Sequence, residues 1–264
     1  MLPTPLAILW ELAESKFNER ERCEAFTKFY EYLGLYLVSF IFGEKKPTKD
    51  IFYKGRKDIL SITMAFGYKR IEEFKGKLEP NSGLAISVCR NEIVNILKDI
   101  TELRNDIAHR GLPSALSVTK AKETIQRLNK TMQLEFRDFF ETTTLIKPIQ
   151  AKFDGNGFLN EVEVLKGLGL NPGKTAQFKT STPMISGELY LAHSDLTLNE
   201  SVAVTKMFPL MLMSETLPES EIMGFYFYSD VLDDKLRFVC PYPNVETYKF
   251  FDRKIITDCL EMSQ

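Results

Sequence analysis

The spacing of apolar residues changes once along this chain of 264 residues, close to Lys147 and Pro148. Before that point apolar side chains recur every three or four residues, which is the spacing of one face of an α-helix. After it, short apolar runs alternate with glycine and proline, a pattern typical of short antiparallel strands. We therefore expect an α+β fold, with a helical bundle over residues 1–145 and a smaller, antiparallel β-rich domain over residues 146–264.

Four helical segments are predicted in the first domain. The longest runs from about Leu84 to His109, after the breaker residues at positions 80–83, and is ended by Gly111 and Pro113. The other three span residues 20–42, 49–66 and 117–140. In the second domain, strands are predicted at Ile149–Phe153, Glu188–Leu191, Met207–Met213, Gly224–Tyr228 and Arg237–Val239.

Two glycine-containing segments are similar to ligand-binding loops but do not match them. A P-loop ending at Thr175 would need a glycine where Leu168 stands. A calcium loop starting at Asp154 would need glycine at position 159 and glutamate at position 165, and both positions hold leucine. We interpret the first segment as a glycine-rich loop and the second as a β-turn.

Composition limits the classes of protein to consider. The net charge of −2 means that any nucleic-acid site must be local. The four cysteines form no CxxC pair and the only histidines are His109 and His193, so we expect neither a metal site nor a cofactor. His193 is expected in a turn at a strand end.

The most apolar window, residues 33–42, is about half as long as a membrane span, and no signal peptide is apparent. We therefore expect a cytoplasmic protein with no membrane contact.

The most informative polar residues lie at the end of the longest predicted helix, in the segment RNDIAH of residues 104–109. At about 100° per residue, Arg104 falls on the edge of an apolar stripe centred on Ile100, Leu103 and Ile107. Its stem can pack there while its guanidinium stays available. Asn105 and His109, four residues apart, share the face directed away from the core. The segment could therefore face a cleft or a partner.

This segment resembles the motif of the HEPN superfamily, in which an arginine, often followed by a polar residue, precedes a histidine by a few positions. Here it has the RNxxxH form and ends a long amphipathic helix, as in that family. The resemblance covers roughly residues 1–145 and implies a HEPN-like helical bundle. It also implies a metal-independent endoribonuclease that acts as a homodimer, with two copies of the motif forming one composite site.

The resemblance assigns a role to each motif residue. His109 would exchange a proton with the 2′-hydroxyl or the leaving oxygen, Arg104 would hold the scissile phosphate, and Asn105 would orient the phosphate or His109. Alternatively, His109 merely complements the helix dipole and Arg104 pairs with a carboxylate. The chain would then be a non-catalytic HEPN dimerisation protein within a defence complex, or an RNA-binding module without cleavage.

Further RNA contacts are predicted in a basic stretch with interleaved aromatic residues between Lys45 and Lys77. A pair of solvated helices would explain this stretch equally well. The β-rich domain resembles domains that follow HEPN regions in bacterial stress-response or phage-defence proteins, which suggests a toxin-like nuclease with a regulatory protein or ligand bound there. The candidate RNA-binding residues are Lys54, Arg56, Lys57, Lys69, Arg70 and Arg110, the last of which could instead pair with Asp106.

Overall fold

A computed structural model describes residues 1–45, 64–76, 85–168, 174–193, 196, 202–207, 210–214, 224–233, 235–242 and 247–252. In these ranges the chain forms helices first and strands afterwards, which confirms the predicted α+β class. No helix there is long and apolar enough to cross a membrane. The helices are α1 (Thr4–Glu14), α2 (Glu19–Lys45), α3 (Met64–Lys75), α4 (Ala85–Val88), α5 (Asn91–Arg110), α6 (Ala115–Glu135) and α7 (Arg137–Thr142).

The strands form two antiparallel sheets. The first has five strands in the order β3-β2-β1-β4-β5, and the second has four in the order β6-β7-β8-β9. Ile146, Val162 and Phe178 are fully buried in the core of the first sheet. The strands are β1 (Thr143–Phe153), β2 (Phe158–Val164), β3 (Thr175–Thr180), β4 (Tyr190–His193), β5 (Ala203–Lys206), β6 (Met211–Ser214), β7 (Gly224–Leu232), β8 (Lys235–Cys240) and β9 (Thr247–Asp252).

Contacts between residues divide the chain into two compact units, and the helical unit comprises Pro5–Val38 and Thr63–Glu141. In it, α2 runs antiparallel to α5, because Gly34 packs against Leu97 while Arg20 reaches Gly111, fourteen residues away on both helices. Tyr30 of α2 donates a hydrogen bond of 2.8 Å to Asn129 of α6. Helix α5 is therefore flanked by α2 and by α6, to which the short connection at residues 111–114 joins it.

The other unit contains the strands together with residues 1–4 and, among the described residues, 39–45. The amide of Thr4 donates to the carbonyl of Leu165 at 3.0 Å, and Gly43 lies directly against the backbone of Lys206. The helices give way to strands at Thr142, close to the predicted boundary at 145. One cut at that position does not separate the two compact units, because residues 1–4 and the end of α2 pack with the strands.

The predicted helix over residues 84–109 is wrong in its continuity, since Cys89 and Arg90 separate α4 from α5. Arg90 is extended, and its guanidinium donates to the carbonyls of Ser87 and Glu135. The break is therefore stabilised by a contact with the end of α6. The predicted helix over 117–140 is likewise divided, because α6 ends before Phe136 and α7 begins after it. Helix α6 also begins earlier than predicted, directly after its capping residue Ser114. Most of the helix predicted over 49–66 lies outside the described residues.

The strand predictions located five of the nine strands found in the described ranges. β1 begins at Thr143 rather than Ile149, and the run predicted from Met207 to Met213 contains only the first part of β6. β2, β3, β5 and β9 were not predicted. The turn predicted after Asp154 is confirmed, because the amide of Asp154 donates to the carbonyl of Gly157 at 3.0 Å and closes the β1–β2 hairpin. His193, expected in a turn, is the last residue of β4.

Candidate functional site

Helix α5 extends beyond the core that stabilises it. All of its fully buried residues precede position 102, and after that point only Leu103 and Ile107 are even half-buried. Gly111 ends the helix with a φ of 66°, a conformation that favours glycine, and its amide donates to the carbonyl of Ile107 at 2.8 Å. The last two turns of α5, which carry the RNDIAH segment, are therefore largely exposed.

Arg104 continues the buried face of α5 rather than its edge. Ile93, Leu97, Ile100 and Arg104 follow one another at steps of four, three and four residues, and the first three are buried. The sequence analysis centred the buried face of α5 on the side of Leu103, but Leu103 is only half-buried. The residues that are buried lie on the side of the helix that Arg104 continues. Arg104 is exposed because it lies past the end of the core, and its Nη1 donates a long hydrogen bond of 3.5 Å to Oδ1 of Asn105.

Asn105 and His109 lie together on another side of α5, and both are exposed. Two turns before Asn105 the same side is covered by α3, where Lys98 pairs with Glu72 at 2.7 Å and lies 5.6 Å from the centre of the Tyr68 ring. Within the described part of the chain, neither Arg104 nor His109 forms an ion pair with a carboxylate. The alternative in which Arg104 is occupied by such a pair finds no support in these residues.

Arg104 and His109 do not converge within one copy of the chain. Five residues of helix separate them by about 140° around the axis and about 7.5 Å along it. Asn105 lies next to Arg104 in the sequence and one turn before His109. One copy therefore presents the histidine and the arginine in different directions.

The predicted RNA-binding residues fall into three groups. Lys69 is exposed on α3, whereas Arg70 beside it is buried and paired with Glu73, which counts against a contact between Arg70 and RNA. Arg110 is 80% exposed, and the expected pair with Asp106 forms at 3.9 Å. Such an exposed pair contributes little and leaves the guanidinium accessible. Lys54, Arg56 and Lys57 lie outside the described residues.

Two features near the motif were not predicted from the sequence. Arg20, at the start of α2, places its Nη2 about 3.2 Å from where a Cβ of Gly111 would stand, which brings a second guanidinium to the end of α5. A cavity of about 500 Å³ lies between α5 and α6. The first depends on a contact between residues about ninety positions apart in the sequence, and the second on how α5 packs against α6, so no local pattern signals either. Among the described residues, no three histidine, cysteine, aspartate or glutamate side chains come together as metal ligands.

The fold and this site define an α+β protein with an exposed arginine–asparagine–histidine cluster at the end of a helix. No family model, curated protein or solved structure matches the chain. The HEPN resemblance therefore depends on the motif and on its position in the helical unit.

Proposed function

We propose that this protein is a HEPN-type endoribonuclease whose cleavage site is built from Arg104, Asn105 and His109 of two copies of the chain. The observation that supports it best is the exposure of all three side chains on the last turns of α5, past the end of its core. A purely structural arginine or histidine would be expected to pack or to pair within its own unit. The resemblance also suggests a role in bacterial stress or phage defence, with the β-rich domain binding a regulatory protein or ligand.

The geometry of α5 supports a site made from two copies of the chain. Since Arg104 and His109 of one copy are about 140° apart around the helix, they cannot readily grip the same phosphate. A second copy related by a two-fold axis would place its own Arg104 opposite His109 of the first. Each Asn105 amide could then hydrogen-bond to the same phosphate or fix its neighbouring side chain.

In this site the chemistry would be transfer of a phosphoryl group within the RNA. The neutral imidazole of one His109 takes the proton of a 2′-hydroxyl, and that oxygen attacks the adjacent phosphorus. Arg104 stabilises the charge that develops on the phosphate oxygens. The 5′-oxygen leaves with a proton, which the imidazolium formed from this same His109 returns to it. The products are a 2′,3′-cyclic phosphate and a 5′-hydroxyl end.

The decisive experiment incubates total RNA in EDTA with the wild type and with His109→Ala, Arg104→Ala and Arg137→Ala. Arg137 is the matched control, because it is an exposed arginine at a helix surface outside the motif, where it forms only an exposed pair with Glu141 at 3.9 Å. We expect the wild type and Arg137→Ala to release fragments with 2′,3′-cyclic phosphate ends. The other two variants should be at least about a hundredfold slower.

Cleavage that is equal in the wild type and in His109→Ala would reject the proposed site. If no sample cleaves RNA while wild type and His109→Ala both remain dimeric, the non-catalytic dimerisation protein becomes the better explanation. Binding of RNA that weakens with salt but yields no products would favour an RNA-binding module.

A further inference from the structure

The cavity between α5 and α6 has an apolar floor and lies beside the motif. Leu103 and Ile107 contribute from α5, Ala121 from α6, and Leu112 and Pro113 from the connection between them. Leu103 directly precedes the motif and Ile107 lies within it, so the cavity and the motif occupy adjoining sides of the same end of α5. Its volume, about 500 Å³, is within the range of small-molecule sites.

Four of the six charged side chains that line the cavity belong to two ion pairs, one close and one long and exposed. Asp99 of α5 pairs with Arg127 of α6 at 2.9 Å, and Asp106 lies 3.9 Å from Arg110. Among the charged lining residues two remain, Glu102 on the α5 wall and Lys120 on the α6 wall. Both are exposed, and neither forms an ion pair within the described part of the chain. The cavity thus offers an unpaired carboxylate on α5 and an unpaired ammonium on α6, with apolar surface between them and the accessible guanidinium of Arg110 beside them.

A ligand that fits has an anionic end for Lys120, an apolar flat part for the floor, and hydrogen-bond donors for Glu102. We propose that this cavity binds a nucleotide whose base carries an exocyclic amino group, and that in RNA this is a nucleotide flanking the cleaved bond. The statement that this nucleotide flanks the cleaved bond rests on the proposed function. Glu102 precedes His109 by seven residues, so both lie on nearly the same side of α5, about 10 Å apart along its axis.

Glu102 determines which base is accepted. Its carboxylate accepts hydrogen bonds but donates none. Guanine, adenine and cytosine each present an amino group to such an acceptor. Uracil has no amino group, and its single N–H lies between two carbonyl oxygens that repel a carboxylate. Lys120 contacts only the phosphate and contributes equally for all four bases.

The test measures binding of 5′-GMP and 5′-UMP to the full-length protein by equilibrium dialysis, which requires no cleavage. The variants are Glu102→Gln and Lys120→Ala. Their matched controls are Glu123→Gln and Lys130→Ala, which change exposed residues of α6 outside the cavity lining. The wild type should prefer 5′-GMP about tenfold, and Glu102→Gln should reduce that preference to about one, because an amide both accepts and donates. Lys120→Ala should weaken both nucleotides by a similar factor, about fivefold.

Absence of nucleotide binding by the wild type, or affinities that Glu102→Gln and Lys120→Ala leave unchanged, would overturn the inference. Its failure can be told from failure of the proposed function. A wild type that binds 5′-GMP selectively and cleaves no RNA keeps the cavity site and rejects the nuclease. A wild type that cleaves RNA through His109 without any preference against uridine beside the cut, in a pattern that Glu102→Gln leaves unchanged, keeps the nuclease and rejects the cavity site.

Discussion

At the scale of single residues, His193 shows how burial can outweigh a nearby opposite charge. Its Nε2 lies 2.8 Å from Oγ1 of Thr205, its ring makes an edge-to-face contact with Phe40, and its Nδ1 is 3.8 Å from a carboxylate oxygen of Glu44. The carboxylate favours the protonated ring, but removal of the ring from water lowers its pKa below the ordinary value. The neutral imidazole is therefore the form that this environment favours.

Because the pKa of His193 is lowered in the folded protein, we expect the free energy of unfolding to depend on pH. The folded protein binds this proton less readily than the unfolded chain, whose histidines titrate near pH 6.5. The contribution to stability is therefore complete above about pH 6.5 and falls as the pH decreases through that value. His193→Gln, which removes the titrating group, should lose less free energy of unfolding than the wild type between about pH 7.5 and 5.5. Urea denaturation at several pH values measures this, and parallel curves for the two proteins would contradict it.

Individual residues of the candidate site differ in how well the sequence predicts their positions. The helical period places Asn105 and His109 together on a face without neighbours, and the structure places both there. The period could not indicate that Arg70 would be buried against Glu73, because that depends on how α3 packs. Nor could it indicate Arg20 at the end of α5, because the two lie about ninety residues apart in the sequence.

At the scale of elements, the boundaries that the sequence predicted least well depend on contacts between elements. Neither Cys89 nor Arg90 is a helix breaker, and the helical period continues through them, so the break before α5, where Arg90 contacts Ser87 and Glu135, does not follow from the sequence pattern. β3 has only one fully buried apolar residue, Phe178, and so carries almost no alternating pattern. Its position follows from pairing with β2, which a sequence pattern does not contain.

Helix α2 packs against different partners at its two ends, and its glycines allow a test. A Cβ at Gly43 would lie 2.1 Å from the carbonyl oxygen of Lys206, whereas a Cβ at Gly34 would meet its nearest neighbours at 3.6 and 3.7 Å. Gly43→Ala should therefore destabilise the protein by about 2 kcal/mol or more, because a backbone carbonyl must move. Gly34→Ala should be neutral, or stabilising by up to about 1 kcal/mol, because alanine favours helix.

Both glycine variants change the same residue type in the same helix, so the difference between them isolates the contact with β5. Chemical denaturation of the two variants beside the wild type gives the comparison. Equal free energies of unfolding would mean that the end of α2 does not pack against β5 as closely as the structure has it.

At the scale of the whole molecule, the proposed nuclease depends on a second copy of the chain. If the arginine and histidine that act on one phosphate come from different copies, then two inactive variants can restore each other. A mixed dimer of Arg104→Ala and His109→Ala retains one Arg104 and one His109, on different copies. If both groups had to come from the same copy, no mixed dimer would contain a complete pair.

We therefore expect an equal mixture of Arg104→Ala and His109→Ala, after exchange of subunits, to cleave RNA faster than either variant alone. Random exchange makes about half of the dimers mixed, and each retains one of two cross-copy pairs, so the rate should approach about a quarter of the wild-type rate. The matched control replaces Arg104→Ala with the double variant Arg104→Ala/His109→Ala, which supplies no histidine and should restore nothing. A mixture no faster than its components, from variants shown by native mass spectrometry to form mixed dimers, would mean that the site is not shared between copies.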